Sequence, residues 1–331
     1  MNATYLFRID RRALFNAALL GLAATATSHW AQAQVAYPSQ AIRLLVPFTA
    51  GSGTDVIARA VGDQLRNGFK QTVIVDNKPG AGGTLGASQV ASAPPDGYTV
   101  LVHSAGHVAN AALFPQLRYD TLKDFTPVTM LAVLPNVLVT APGRYKNVQE
   151  LVAKAKASGQ AMYASAGNGS ATHMNAEKFL AAVGVAATHV PFRGTPEALT
   201  EVMAGRLDWF FAPLVSALPL IKAGKLDALG VGTPRRSPAL PDVPTTLELG
   251  YAGSDYTFWV GMFVPAKTPA PVVARLHDET VTVLRSDALR ERLAGLGAEV
   301  APMEQPQFAA LVSAEAEQAA ALIKRAGIRV D

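Results

Sequence analysis

Residues Ala41–Arg66 read AIRLLVPFTAGSGTDVIARAVGDQLR. The opening run Ile42-Arg43-Leu44-Leu45-Val46-Pro47-Phe48 is apolar, branched and of strand length. Six small residues follow, Thr49 to Thr54, and after Asp55 the positions Val56, Ile57, Ala60, Val61 and Leu65 recur at helical spacing. A strand, a glycine loop and a helix start in that order leave several backbone N–H groups unpaired above the loop. The helix dipole adds to them, giving an anion site that needs no charged side chain. An ordinary strand-to-helix turn has the same pattern, so one unit alone does not separate binding from plain architecture.

A second unit of the same kind tips the reading towards binding. Tyr163-Ala164-Ser165-Ala166-Gly167-Asn168-Gly169-Ser170-Ala171-Thr172-His173 again runs from strand through glycines into a helix, with Ser170 placed to cap it. Around both units the chain alternates strands and helices: strands at 72–76, 98–103, 161–165, 188–192, 207–211 and 226–231, helices at 84–91, 147–157, 170–183, 195–204 and 214–223. Such alternation predicts an α/β fold of mainly parallel sheets flanked by helices. Strands at 128–134 and 137–141 are interrupted by Pro135-Asn136, a candidate crossing between two domains, and the strand 257–265 is a candidate return. The tail is helical at 271–284, 287–296 and 307–326. Open α/β sheets bind ligands beyond the carboxyl ends of their strands, where both glycine loops lie.

With 331 residues, the chain has room for two domains. Arg8, Arg11 and Arg12 head an apolar stretch, Ala13 to Ala26, and Ala31-Gln32-Ala33 is an A-x-A cleavage pattern, so residues 1–33 read as an export signal. Arg11-Arg12 matches the pair of a twin-arginine signal, but Asp10 before it and Phe15 one place late depart from that pattern, so a general secretory and a twin-arginine signal both stay open. Mature protein beginning at Gln34 is expected outside the cytoplasm. Cleavage removes three Arg and one Asp, lowering the net charge from +4 to about +2; that is no footprint for nucleic acid. With no cysteine there is no disulfide, thiolate nucleophile or Cys-ligated metal. The six histidines fall in no H-E-x-x-H or H-x-H pattern, so neither a metal nor a cofactor is expected.

Several motifs admit two readings. Asp55 is placed either to touch a ligand or, as acids at helix starts do, to tie down the loop amides; the second is favoured. Gly80-Ala81-Gly82-Gly83-Thr84-Leu85 imitates a dinucleotide fingerprint whose third glycine is replaced by Leu85. No phosphate-binding G-x-x-x-x-G-K-[ST] and no G-x-S-x-G nucleophile elbow occurs. Ser170 and His173 form an i, i+3 pair, read as a cap plus a cleft-facing residue, with a secreted hydrolase as the alternative. His103 and His107 read as loop residues near the cleft. Arg193, in Val190-Pro191-Phe192-Arg193-Gly194-Thr195-Pro196, either pairs with a carboxylate through its fork or lies on the surface.

Together these motifs resemble one family. Tyr37-Pro38, Ile42 to Phe48 with its glycine loop and Asp55, Val75 to Gly83, Ala93 to Thr99, Gly167 to His173, His189 to Gly194, Ala223 to Leu226 and the Trp259–Pro269 stretch are similar to the tripartite tricarboxylate transporter receptors, the Bug family. The resemblance covers the mature chain. It implies a periplasmic binding protein of the type II, Venus flytrap kind, not an enzyme, with domain 1 at 34–135 and 258–331, domain 2 at 136–257, and the ligand in the cleft between them. It further implies a small carboxylate as ligand, the membrane subunits of such a transporter as partners, and a monomer. Carried over, the first jaw is Phe48, Ser52, Gly53, Thr54 and Asp55; the second is Ser165, Gly169, Ser170, Ala171, Thr172 and His173; Ser104, Arg193 and Thr195 complete the set. Two departures are visible. Ser52 adds a hydroxyl to the first loop, and Ala212 stands where many members carry an acidic or polar residue, which favours a di- or tricarboxylate or an aromatic acid over an amino acid. A role as ligand sensor for a signalling partner uses the same closure.

Overall fold

In the computed structural model residues 37–329 are described; the expected signal 1–33 and the start at Gln34 lie outside them. Strand β1 (Ile42–Val46) leads into helix α1 (Gly53–Phe69), then β2 (Val73–Asn77), a short 3-10 turn (Ala81–Gly83), α2 (Thr84–Ala91), β3 (Thr99–Ser104) and α3 (Gly106–Leu113). A long strand, β4 (Phe125–Leu134), meets β5 (Asn136–Thr140) across Pro135, whose missing N–H cannot continue a ladder. Next come α4 (Val148–Ser158), β6 (Met162–Ser165), α5 (Ala171–Val183), β7 (Thr188–Pro191), α6 (Thr195–Met203), β8 (Trp209–Pro213), α7 (Leu214–Lys222) and β9 (Asp227–Val231). After a long loop, β10 (Phe258–Pro265), α8 (Ala270–Leu284), α9 (Asp287–Gly295), β11 (Glu299–Val300) and α10 (Gln305–Ala326) close the fold.

The strands form two sheets, with order β11-β4-β10-β3-β1-β2 in one and β7-β6-β8-β5-β9 in the other. Both belong to the unit that begins at Gln40, and each sheet with its helices makes one lobe. The chain passes to the second lobe between β4 and β5 and returns before β10. Each sheet is mixed. β1 pairs in parallel with β2 and β3, and β6 with β7 and β8. The strands at the crossings run against their neighbours: β10 is antiparallel to β3 and β4, and β5 to β8 and β9. The expectation of mainly parallel sheets is corrected at these strands, because a chain that enters a lobe from the far side traverses its sheet in the opposite sense.

Burial on both faces explains the continuous apolar strands. Along β8, Phe210 and Ala212 pack into one core cluster with Val137, Leu199 and Leu218, while Trp209 and Phe211 pack into another with Tyr163, Phe179 and Leu138. Alternate side chains of one strand thus serve opposite faces, each fully buried large side chain contributing about 1.5–3 kcal/mol. In the first lobe, Leu44, Leu45, Val46, Ile57 and Val61 are completely buried, which is the residue-level basis for the strand and the helical stripe in Ala41–Arg66.

Two readings change here. His103 and His107 are not loop residues: they sit on β3 and α3, and both are fully buried. Ala212 faces the second-lobe core, and its neighbour Pro213 is the residue that reaches the cleft.

Candidate functional site

Helix α1 begins at Gly53 with Ser52 as its N-cap residue, yet the Ser52 hydroxyl makes no cap bond. It accepts instead from the Thr195 N–H of the other lobe at 3.0 Å. The N–H groups of Gly53, Thr54 and Asp55 therefore lack helical partners and keep the positive end of the dipole open. Helix α5 begins differently: the Ser170 hydroxyl accepts from His173 N at 3.3 Å, leaving the Ala171 and Thr172 N–H groups to face outwards. Between these two helix starts lies a narrow cavity of about 10 Å3. Of the residues expected to line it, Phe48, Ser52, Gly53, Thr54, Ser104, Ser170, Ala171, Thr172 and Thr195 do so. Ala166, Pro213 and Phe258 also line it, and no Asp, Glu, Lys, Arg or His does.

Four of the other expected residues, Asp55, Ser165, Gly169 and His173, stand behind this lining. Asp55 is 2% exposed. Its Oδ2 accepts from Gly51 N at 2.8 Å and from Arg59 Nε at 3.0 Å, and its Oδ1 accepts from Asn77 Nδ2 at 2.8 Å. The same Asn77 amide donates to the Phe48 carbonyl at 3.0 Å, so one strand end fixes both sides of the loop. Asp55 thus ties the loop after β1 to the start of α1 and to the end of β2. In the second lobe, Ser165 Oγ lies 2.6 Å from His189 Nε2 and accepts from Gly167 N at 3.0 Å. His173 Nδ1 accepts from Gly169 N at 3.1 Å. The His173 ring stacks on His189 with centroids 4.0 Å apart, and His189 stacks on Tyr163, whose hydroxyl donates to Glu177. Burial holds the imidazoles neutral, depressing His173 to about 3 and His189 to about 4; burial raises the Glu177 carboxyl. Ser170 Oγ thus meets a backbone N–H and the Thr172 hydroxyl, 3.0 Å away, rather than the His173 ring, so the pair lacks nucleophile–base geometry. Arg193 is exposed and lines a separate outer opening.

The lobes touch around the cavity. Besides the Thr195–Ser52 bond, Thr49 Oγ1 donates to Glu197 Oε2 at 3.0 Å and Ser216 Oγ donates to the Gly51 carbonyl at 2.9 Å. The backbones approach so closely that a Cβ on Gly106 would lie 2.6 Å from the Gly169 carbonyl oxygen and 2.9 Å from Ala171 N. Among the described residues no group of three or more His, Cys, Asp or Glu side chains gathers in a metal-holding arrangement.

Sequence reasoning missed Pro213, Phe258, Asn77 and the Thr49–Glu197 pair as parts of this site. A polar residue ending β2 was a usable signal for Asn77; nothing local marks the others.

The model of the tripartite tricarboxylate transporter family receptor matches residues 57–328. The chain belongs to this family. A "UPF0065 protein in tcbD-tcbE intergenic region" of Pseudomonas sp. strain P51 is 36% identical over 302 residues, covering 90% of each chain. MatC from Rhodopseudomonas palustris, solved with bound malate, superposes with a TM-score of 0.82 at 34% identity over 87% of this chain and 100% of MatC. Another R. palustris protein, solved with adipate, gives a TM-score of 0.85 at 32% identity over 88% and 99%. The family is one of periplasmic solute-binding receptors, and the fold described above is theirs.

Proposed function

We propose that this receptor is exported to the periplasm, where as a monomer it closes on a small organic carboxylate carrying no ammonium group and delivers it to the membrane subunits of a tripartite tricarboxylate-type transporter. One observation carries the reading: the starts of α1 and α5, from opposite lobes, open into one cavity with no charged side chain in its lining. Unpaired N–H groups at a helix start favour an anion. An amino-acid ligand would bury its ammonium with no carboxylate opposite it, a costly arrangement. Malate and adipate on the two neighbours are acids of this class. The reading includes a division at 34–135 with 258–331 against 136–257, and binding without catalysis, which the Ser170–His173 geometry supports. Calorimetric titration of the purified receptor with di- and tricarboxylates, aromatic acids and amino acids tests it. Affinity for at least one non-amino carboxylate above that for every amino acid is expected; no binding of any carboxylate at millimolar concentration overturns it.

A further inference from the structure

A larger cavity, of about 420 Å3, lies between α10 and the start of α3 in the first lobe, α5 in the second, and the segment 255–257 that returns the chain to β10. It shares no lining residue with the inner cavity. We propose that this flank cavity binds a small aliphatic amino acid as its zwitterion, with the ammonium held by Glu315 of one lobe and the carboxylate by Lys178 of the other. The proposal goes beyond the carboxylate-receptor reading and does not depend on it.

Helical periodicity builds two of its walls. Along α10, Glu315, Gln318, Ala319, Leu322 and Arg325 follow one another at three- and four-residue intervals and form one stripe. Along α5, Met174 and Lys178 lie about one turn apart. Lys178 is about 10 Å further along the axis than Ala171, which lines the inner cavity. One helix thus serves both sites, at separate places. Val108, Met174 and Leu322 give the flank cavity buried apolar surface, which suits a short branched side chain.

The charges decide what fits. Asp255 and Glu315 are balanced by Lys178 and Arg325, so the lining carries both signs and no net charge. A solute of one sign gains from one pair and loses to the other, whereas a dipolar solute satisfies both. Glu315 is half-buried and anchored: its Oε2 accepts from the Trp259 indole N–H at 2.6 Å, while its Oε1 has no hydrogen bond among the described residues. Burial raises its carboxyl, and the Trp259 donor and then the Lys178 charge oppose that rise, so Lys178 stands within electrostatic reach. Lys178 nonetheless makes no hydrogen bond or ion pair among the described residues. A gap between opposite charges too wide for direct pairing accommodates a molecule whose ammonium and carboxylate are borne by neighbouring carbons. An ammonium brings three donors, and the Tyr256 hydroxyl, held protonated by burial and then by the Glu315 charge, is a second acceptor beside Glu315. The inner cavity has no carboxylate to offer such a group.

The test is titration calorimetry on the purified receptor with L-valine and its two fragments, isobutylamine without the carboxylate and isovalerate without the ammonium. Valine is expected to bind about tenfold or more tightly than isobutylamine. Glu315→Gln, which keeps an acceptor for Trp259, should weaken valine about tenfold, and Lys178→Met about fivefold. Isovalerate, which has no ammonium for Glu315, should respond to Glu315→Gln by less than twofold. No valine binding at millimolar concentration overturns the site. So does a valine affinity unchanged within twofold in either variant, the result expected of valine held in the inner cavity instead. Adipate titrated in parallel reads the cleft, and its affinity should stay within twofold in both variants; a fall matching that of valine would mark the substitutions as long-range disturbances and overturn the site as well. Thermal midpoints of the ligand-free variants equal to that of the original protein exclude a folding defect.

Discussion

Asp55 has no side-chain contact with the cavity, yet three donors converge on its buried carboxylate. Replacing it by alanine leaves the Gly51 N–H and the Asn77 amide without their acceptor, so Asp55→Ala should lower stability by about 2–4 kcal/mol in urea denaturation. Asp55→Asn, which keeps one acceptor, should cost less. Three buried histidines, His103, His107 and His173, with the half-buried His189, make a second residue-scale prediction. Burial depresses His103 and His173 to about 3 and His189 to about 4; His107 is lowered by burial and then by neighbouring His103. Unfolded, each protonates near pH 6.5, so below that pH the unfolded chain holds more protons than the folded one. The stability these groups contribute is complete above about pH 6.5 and is lost as pH falls towards 4 and 3. Glu177 and Glu315, both raised by burial, act in the opposite sense. The unfolding free energy from urea denaturation should fall steadily from pH 7 to pH 5, by up to about 1.4 kcal/mol per pH unit for each histidine; a flat profile would mean imidazoles charged in the native state. At this scale the sequence made the jaws legible, because small residues and a cap identify themselves by type. Pro213 and Phe258 were not legible: each ends or starts a strand buried on both faces, and no periodicity says which member of such a strand looks into the cleft.

Between elements, the decisive contacts are backbone against backbone. Gly106 opens α3 facing the start of α5 in the other lobe, and its backbone needs no left-handed conformation, so alanine fits the helix itself. Gly106→Ala should leave thermal stability within about 1 kcal/mol of the original while holding the lobes apart. Carboxylate affinity should drop tenfold or more in calorimetric titration, and small-angle scattering should report a larger radius of gyration. The helix it belongs to escaped sequence reading for a physical reason. Gly106-His107-Val108-Ala109-Asn110-Ala111-Ala112-Leu113 follows a strand without a loop, starts at glycine and has no side-chain cap, so none of the usual punctuation marks its start. The antiparallel strands were hidden similarly: hydrophobic pattern reveals that a strand is buried on both faces, not the sense in which it runs. The strand–loop–helix units were readable because period and punctuation agree in them.

For the molecule as a whole, three direct bonds between lobes, at Ser52–Thr195, Thr49–Glu197 and Gly51–Ser216, make the closed arrangement partly self-supporting. Removing the two bonds that do not involve the cavity lining, in a Thr49→Val/Ser216→Ala double variant, should shift the balance towards open forms by roughly tenfold, seen as an increased mean radius of gyration in solution scattering. Two lobes with a cleft were legible from the alternation of elements and the break at Pro135-Asn136, whereas these bonds join residues more than 140 positions apart, and no local signal announces them. Their consequence reaches into kinetics. Because the clasp links protein to protein, a solute can enter only during the intervals when it is undone. Association should therefore be gated: at rising solute concentration the observed binding rate should level off at the opening frequency of the clasp instead of climbing without limit. Stopped-flow mixing would read that ceiling directly, and each clasp bond deleted should raise it.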